Sequence, residues 1–241
     1  MGPSPAEGQR PTARGKPRRS GAPPPAPAGV SARFWDLVIA ETGPRVRLLD
    51  VATGSGRVAL AVAPSCAHVL GIERDPVLIE EARARATKLE LTNVEFLVAD
   101  ADAIEYSELV ADGRRPDVVV AHLYLSDAFV ERAARALAPG HALAFVALHV
   151  DQWRETGRPS RFAYDEERAR ALLTRCGFAI EHLEVEREVK TFGSVEAGLA
   201  AAIGLEERWK TDGRWFRYIK FLEDGGRTLT RSHLVAKARR R

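Results

Sequence analysis

From residue 31 onward, short apolar runs alternate with amphipathic stretches almost without a break. The runs RVRLLDVA (45–52), HVLGIE (68–73), VEFLVAD (94–100), PDVVVAHL (116–123) and ALAFVALHV (142–150) are too short for buried helices. They are rich in Val, Leu and Ile on successive residues, the pattern of strands buried on both faces. Between them, helical spacing is predicted over 31–42 (capped by Ser31), 56–63, 76–89 (Pro76 in the first turn), 126–137 and 164–176, with a short helix near 102–111. FAIEHLEVEREV (178–189) reads as a long strand and TLTRSHLVAKAR (228–239) as the last one. Two helical stretches, near 194–204 and 212–223, lie between these two strands. Strand–helix alternation of this kind requires a mostly parallel sheet with helices on both faces, a doubly wound α/β fold. Ligands of such folds bind outside the carboxyl ends of the strands.

Composition narrows the class further. With 241 residues the chain is long enough for one large α/β domain. No stretch approaches a membrane-spanning length of about 18 apolar residues, and no membrane partner is expected. Two cysteines, Cys66 and Cys176, exclude a disulfide scaffold and fit a reducing cytoplasm. Of 36 basic and 33 acidic residues, five basic and one acidic fall in residues 1–30, leaving 31 and 32 for the rest. The excess positive charge therefore belongs to the first 30 residues, which also hold eight of the 14 prolines. They read as a disordered basic tail, and residues 31–241 as the folded domain. A balanced body gives little case for a nucleic-acid partner.

The first strand leads into Asp50-Val51-Ala52-Thr53-Gly54-Ser55-Gly56. Gly54 and Gly56 allow a ligand to approach the backbone, and with Ala59 the loop also fits a dinucleotide-binding pattern. Three acids separate the readings. Asp50 ends the first strand, where it would repel a pyrophosphate and welcome a cationic amine. Glu73 ends the second strand, 17 residues after Gly56, where a carboxylate accepts ribose hydroxyls. Asp100 ends the third, within reach of an exocyclic adenine amine.

On these residues the chain resembles the class I S-adenosylmethionine-dependent methyltransferases, over about 31–241. The likeness rests on LLDVATGSG (48–56), VLGIERD (69–75), VEFLVADAD (94–102), PDVVVAHL (116–123) and ALAPGHALAF (136–145). It implies a seven-stranded Rossmann-like sheet with an antiparallel last strand; the helical stretches over 191–225 are an insertion this fold does not call for, which can either pack on the sheet or close over the acceptor as a lid. It also implies S-adenosylmethionine as cofactor. Asp50 and the backbone of Ala52, Thr53, Gly54 and Gly56 would hold its methionine end. Glu73 would take the ribose hydroxyls, Asp100 and the Ala101 N–H the adenine, and the backbone at Ala121 and His122 the amine; Arg74 stands where the family often packs an apolar residue on adenine, and its stem could pack there instead. Ala52 stands where the family often has its first glycine, and His141 replaces a second glycine after Pro139.

Methyl transfer from a sulfonium needs alignment above all, a base only when the acceptor must lose a proton, and no metal. Candidate acceptor-side groups are His122 and Tyr124 after strand four and His149, paired with Asp151, after strand five, with Trp153 as a cavity wall. On the insertion, Trp215, Tyr218 and Phe221 share a helix face and offer an apolar lining. Arg214, Arg217 and Lys220 could steer an anionic acceptor. The expected function is methylation of a small molecule. The alternatives are an RNA or protein methyltransferase docking through the basic tail, an NAD-dependent oxidoreductase, and a binding module that keeps the fold without the chemistry.

Overall fold

The computed structural model describes residues 24–109 and 115–241. A seven-stranded sheet runs in the order β3-β2-β1-β4-β5-β7-β6. Its strands are β1 (Gly43–Val51), β2 (Cys66–Glu73), β3 (Val94–Val98), β4 (Val118–His122), β5 (Ala142–Leu148), β6 (Phe178–Thr191) and β7 (Thr228–Arg240). β7 alone runs antiparallel, between β5 and β6. The strand order reverses between β1 and β4, which pair directly with Asp50 opposite Val120. This is the doubly wound sheet expected from the alternation of runs.

Helices α1 (Ala32–Ile39), α2 (Arg57–Val62) and α3 (Pro76–Lys88) cover one face, and α4 (Asp127–Ala136) and α5 (Glu166–Arg175) the other. The strand pleat divides the core accordingly. Val118, Val120 and Val146 pack with Phe34, Trp35, Val58 and Ile79. Val119, Leu143 and Phe145 pack with Phe129, Leu172 and Leu173. Side-chain caps set the helix starts: Ser31, Asp75, Ser126 and Asp165 each accept a first-turn amide. No helix among the described residues is long and apolar enough to cross a membrane.

The insertion between β6 and β7 forms α6 (Val195–Ala202), α7 (Glu206–Lys210) and α8 (Arg214–Glu223). It has its own small core: Trp209 meets Trp153 edge-on at 5.2 Å and Tyr218 at 5.6 Å. Trp215 and Tyr218 are buried there rather than presented to an open acceptor pocket, while Phe221 stacks on Tyr218 at 6.2 Å. The sequence reading did not contain α7, a single turn over 206–210.

Two other expectations change. The helix near 102–111 is absent over 101–109, which is built of turns; 110 and 111 lie outside the described residues. Local bonds compete with the helix there. The Asp100 carboxylate accepts the Asp102 amide at 2.9 Å, and the Tyr106 hydroxyl donates back to the Ala101 carbonyl at 2.8 Å. Residues 24–30, read from the sequence as part of the tail, touch the folded domain at two points. The Pro24 carbonyl accepts the Trp35 indole N–H at 2.6 Å, and Val30 is buried against α1. Residues 1–23 lie outside the described residues.

Candidate active site

Asp50 sits at the carboxyl end of the central strand and is 1% exposed. Its Oδ2 accepts the Thr53 hydroxyl at 2.5 Å and the Ala59 amide at 3.1 Å, tying the loop to the start of α2. Burial pushes its carboxyl up to about 7; these two hydrogen bonds oppose the shift, and the negative charge of Glu73 adds to it. The structure thus holds a buried acid that makes no ion pair among the described residues.

The loop bends through left-handed backbone at Ala52 (φ 55°), Gly54 (φ 56°) and Gly56 (φ 79°). At Gly56 a methyl group would lie 2.8 Å from the Phe96 ring, so only glycine fits. At Gly54 a methyl would meet no atom within 4 Å: that position opens onto space. Ala52 adopts the same conformation as these glycines despite its side chain, which keeps the loop path intact.

That space is a cavity of about 180 Å³ at the switch point between β1 and β4. Asp50, Ala52, Thr53 and Gly54 form one side, and His122 and Leu123, beyond the end of β4, the other. Leu123 takes left-handed backbone (φ 62°) and is 44% exposed, a strained conformation for an apolar residue. Its neighbour Tyr124 returns to the sheet by donating its amide to Val146 at 3.1 Å. Ser55, Arg57 and Val58 complete the lining. Arg57 was not among the residues singled out from the sequence. Its guanidinium is exposed and makes no ion pair among the described residues. A cation in the residue after Gly56 was the available signal.

Glu73 ends β2 beside this loop. Its Oε2 accepts the Gly54 amide at 3.2 Å, and its Oε1 accepts the amides of Arg74 and Asp75 at 2.8 and 3.1 Å. The Arg74 side chain is exposed. Asp100 is exposed just past the end of β3, and the amide of the buried Ala101 has no acceptor among the described residues. Glu73, Asp100 and Ala101 lie outside the cavity lining, on the flank toward β2 and β3.

Of the three candidate catalytic groups, only His122 lines the cavity. Burial pushes it down to about 4, helped by the positive potential of His233 and Arg57, and its ring packs on Phe34 at 5.6 Å. The Tyr124 hydroxyl donates to Asp102 at 2.6 Å; burial and that carboxylate raise it, so it stays protonated. His149 is buried elsewhere. Its Nδ1 accepts the Asp151 amide at 3.2 Å and faces the Ser232 hydroxyl at 3.0 Å, so Nε2 carries the proton toward Glu166 at 3.2 Å. The Asp151 carboxylate pairs with Arg187 and stands 3.9 Å from His149 Nδ1. Both ring nitrogens of His149 thus serve the junction of β5, β7 and α5, not the cavity. Trp153 is buried in the core of the insertion.

The donor set fits the methionine end of an adenosyl cofactor. A buried carboxylate without a countercharge suits an ammonium or sulfonium, the free guanidinium suits a carboxylate, and the open face at Gly54 admits backbone contact. The same acid opposes a pyrophosphate. Fold and loop together define a Rossmann-like methyltransferase of class I.

Residues 43–190 match the family described as a methyltransferase domain. The chain belongs to this family, whose cofactor is S-adenosylmethionine. An uncharacterized protein of Mycobacterium tuberculosis is 35% identical over 81 residues, which are 33% of this chain and 29% of that protein. The chain thus matches less than a third of the length of this curated relative. Among solved structures, the YcgJ protein of Bacillus subtilis has a TM-score of 0.67 at 15% identity, covering 87% of this chain and 98% of the other. The [4+2]-cyclase SpnF has a TM-score of 0.60 at 24% identity, covering 86% and 80%. These two likenesses establish the fold, and the second shows that the fold alone does not assign a reaction.

Proposed function

We propose that this protein transfers the methyl group of S-adenosylmethionine to a small-molecule acceptor. The observation that carries the reading is Asp50, a buried acid facing a cavity and making no ion pair among the described residues. Asp50 and the 52–56 loop bind the methionine end, with Arg57 on its carboxylate. Glu73 accepts the ribose hydroxyls. Asp100 and the Ala101 amide bind the adenine edge, and the Arg74 stem lies against the ring. When bound, the cofactor supplies an electrophilic methyl on a good, neutral leaving group. The protein's part is to align the acceptor opposite that bond and to exclude water. His122, neutral at physiological pH, offers the acceptor a hydrogen bond or a wall. The insertion supplies the cover on the acceptor side.

Calorimetric titration of the full chain with S-adenosylmethionine, S-adenosylhomocysteine and NAD tests the cofactor assignment. Micromolar binding of both adenosyl ligands and none of NAD is expected; NAD binding alone would overturn it. Removing residues 1–23 tests the acceptor class. Activity and its salt dependence should be unchanged, whereas loss of both would favour an RNA or protein acceptor docking on the tail.

A further inference from the structure

A second cavity, of about 420 Å³, opens between the β5–α5 loop and the turn joining α7 to α8. Topology places it at the same end of the sheet as the cofactor cavity. β7 is antiparallel to β5 and β6, so the insertion between β6 and β7 emerges at the carboxyl ends of the parallel strands. The β5–α5 loop leaves from that end too. The two walls are fastened together: Arg217 Nε donates to the Thr156 carbonyl at 2.7 Å, and Trp153 packs on Trp209.

The lining is unusual in charge. Arg158 and Arg161 come from the loop, Arg208 and Arg214 from α7 and α8, and Asp212 is the single acid. Arg214 consumes that acid: its Nη2 lies 2.7 Å from Oδ2, and its Nε contacts both carboxylate oxygens at 3.0 and 2.9 Å. Arg158, Arg161 and Arg208 have no acidic partner among the described residues; Arg161 only stacks over the Phe162 ring at 4.6 Å. Arg214 is 6% exposed, its guanidinium 5.5 Å from the Trp153 ring, and its Nη1 has no acceptor among the described residues. Like charges gathered around one cavity repel unless an anion offsets them, and forked guanidiniums match phosphate oxygens.

We propose that this cavity binds the phosphate or diphosphate group of the methyl acceptor. The acceptor role rests on the methyltransferase reading; the anion site itself does not. The test is calorimetric titration of the full chain with pyrophosphate at low salt, without cofactor. The expected result is one saturable site, weakened by at least about tenfold in Arg161→Gln/Arg208→Gln. An unchanged thermal midpoint would show that this variant folds; neither arginine has a tertiary ion pair among the described residues to lose. Arg158→Gln should weaken binding in the same direction. Arg161→Lys/Arg208→Lys should recover part of the affinity, because it keeps the charge and loses the fork. Citrate should compete more weakly than pyrophosphate; stronger competition would overturn the phosphate assignment. No saturable pyrophosphate binding, equal affinity in wild type and the double Gln variant, or binding of an oligonucleotide in preference to pyrophosphate would overturn the site. Pyrophosphate binding in a protein that fails to bind S-adenosylhomocysteine would leave the anion site standing and remove the methyltransferase reading.

Discussion

Binding at the first cavity should be coupled to the loss of a proton from Asp50. Burial holds this carboxyl at about 7 against an ordinary 3.8, so at pH 6 about nine-tenths of the folded protein carries the proton. A cationic ligand group beside Asp50 favours the carboxylate, and binding must then expel that proton. If only the ionised form binds, affinity at pH 6 is lower than at pH 8 by about tenfold, or ~1.4 kcal/mol. The assay is titration with S-adenosylhomocysteine at both pH values, in buffers of different ionisation enthalpy, on wild type and Asp50→Asn. The ligand's own amine titrates identically with both proteins and cancels in the comparison. Wild type should release about 0.9 proton at pH 6 beyond any release seen with Asp50→Asn. Stability runs the opposite way with pH. The folded state gains a proton below about 7 and the unfolded state only near 3.8, so this residue's contribution to stability falls as pH rises between those values and is flat above about 7. Identical pH dependence in both proteins, with heats independent of buffer, would refute the argument that Asp50 is the countercharge.

Other residues give sharper single tests. Glu73→Ala should weaken S-adenosylmethionine binding by roughly 1.5–3 kcal/mol, the value of charge-assisted bonds; unchanged affinity would remove the ribose assignment. Gly56→Ala should cost about 2–3 kcal/mol of stability, because a left-handed alanine there also meets Phe96. Gly54→Ala should cost only about 1–2 kcal/mol but impair cofactor binding. Chemical denaturation and titration of both variants separate the two effects, and equal destabilisation would contradict the packing argument. His122→Phe should keep kcat within about threefold if the ring acts as a wall; a loss of about 10²-fold or more would identify it as a base.

What the sequence made legible is what one segment settles by itself. The Asp50–Gly56 loop, the acids ending β2 and β3, and the Ser31 cap are local patterns whose chemistry follows from their neighbours in the chain. Arg57 was missed because an arginine opening a short helix looks like any solvated cation until β4 brings His122 and Leu123 opposite it. His149 and Asp151 looked like a pair because they are two residues apart. The fold instead supplies His149 with Ser232 from 83 residues away and turns Asp151 to Arg187. The basic cavity was legible only through Arg214, for the same reason: Arg158 and Arg161 meet Arg208 and Arg214 only across an interface between a loop and an insertion. The turns at 101–109 failed as a helix because side chains there outbid the helical bonds, a competition that propensity does not weigh.

The titration states around the cofactor cavity constrain the acceptor more than its shape does. His122 is held neutral at about 4, which makes it a weak base, and Tyr124 is held protonated and bonded to Asp102. Asp50 is buried under the loop with its Oδ2 committed to Thr53 and Ala59. None of these groups is suited to remove a proton from a hydroxyl of ordinary acidity at pH 7. The arrangement instead favours an acceptor that is already nucleophilic when it binds, such as a neutral amine, an ionised thiol or an electron-rich carbon. For such an acceptor, catalysis reduces to alignment, and alignment is what a charged handle on the substrate provides. An anion held among Arg158, Arg161 and Arg208 would fix one end of the acceptor at the carboxyl end of the sheet and leave the other free to meet the methyl group. The weak basicity of His122 and the arginines that lack acidic partners among the described residues thus point to the same mode of action, catalysis by positioning.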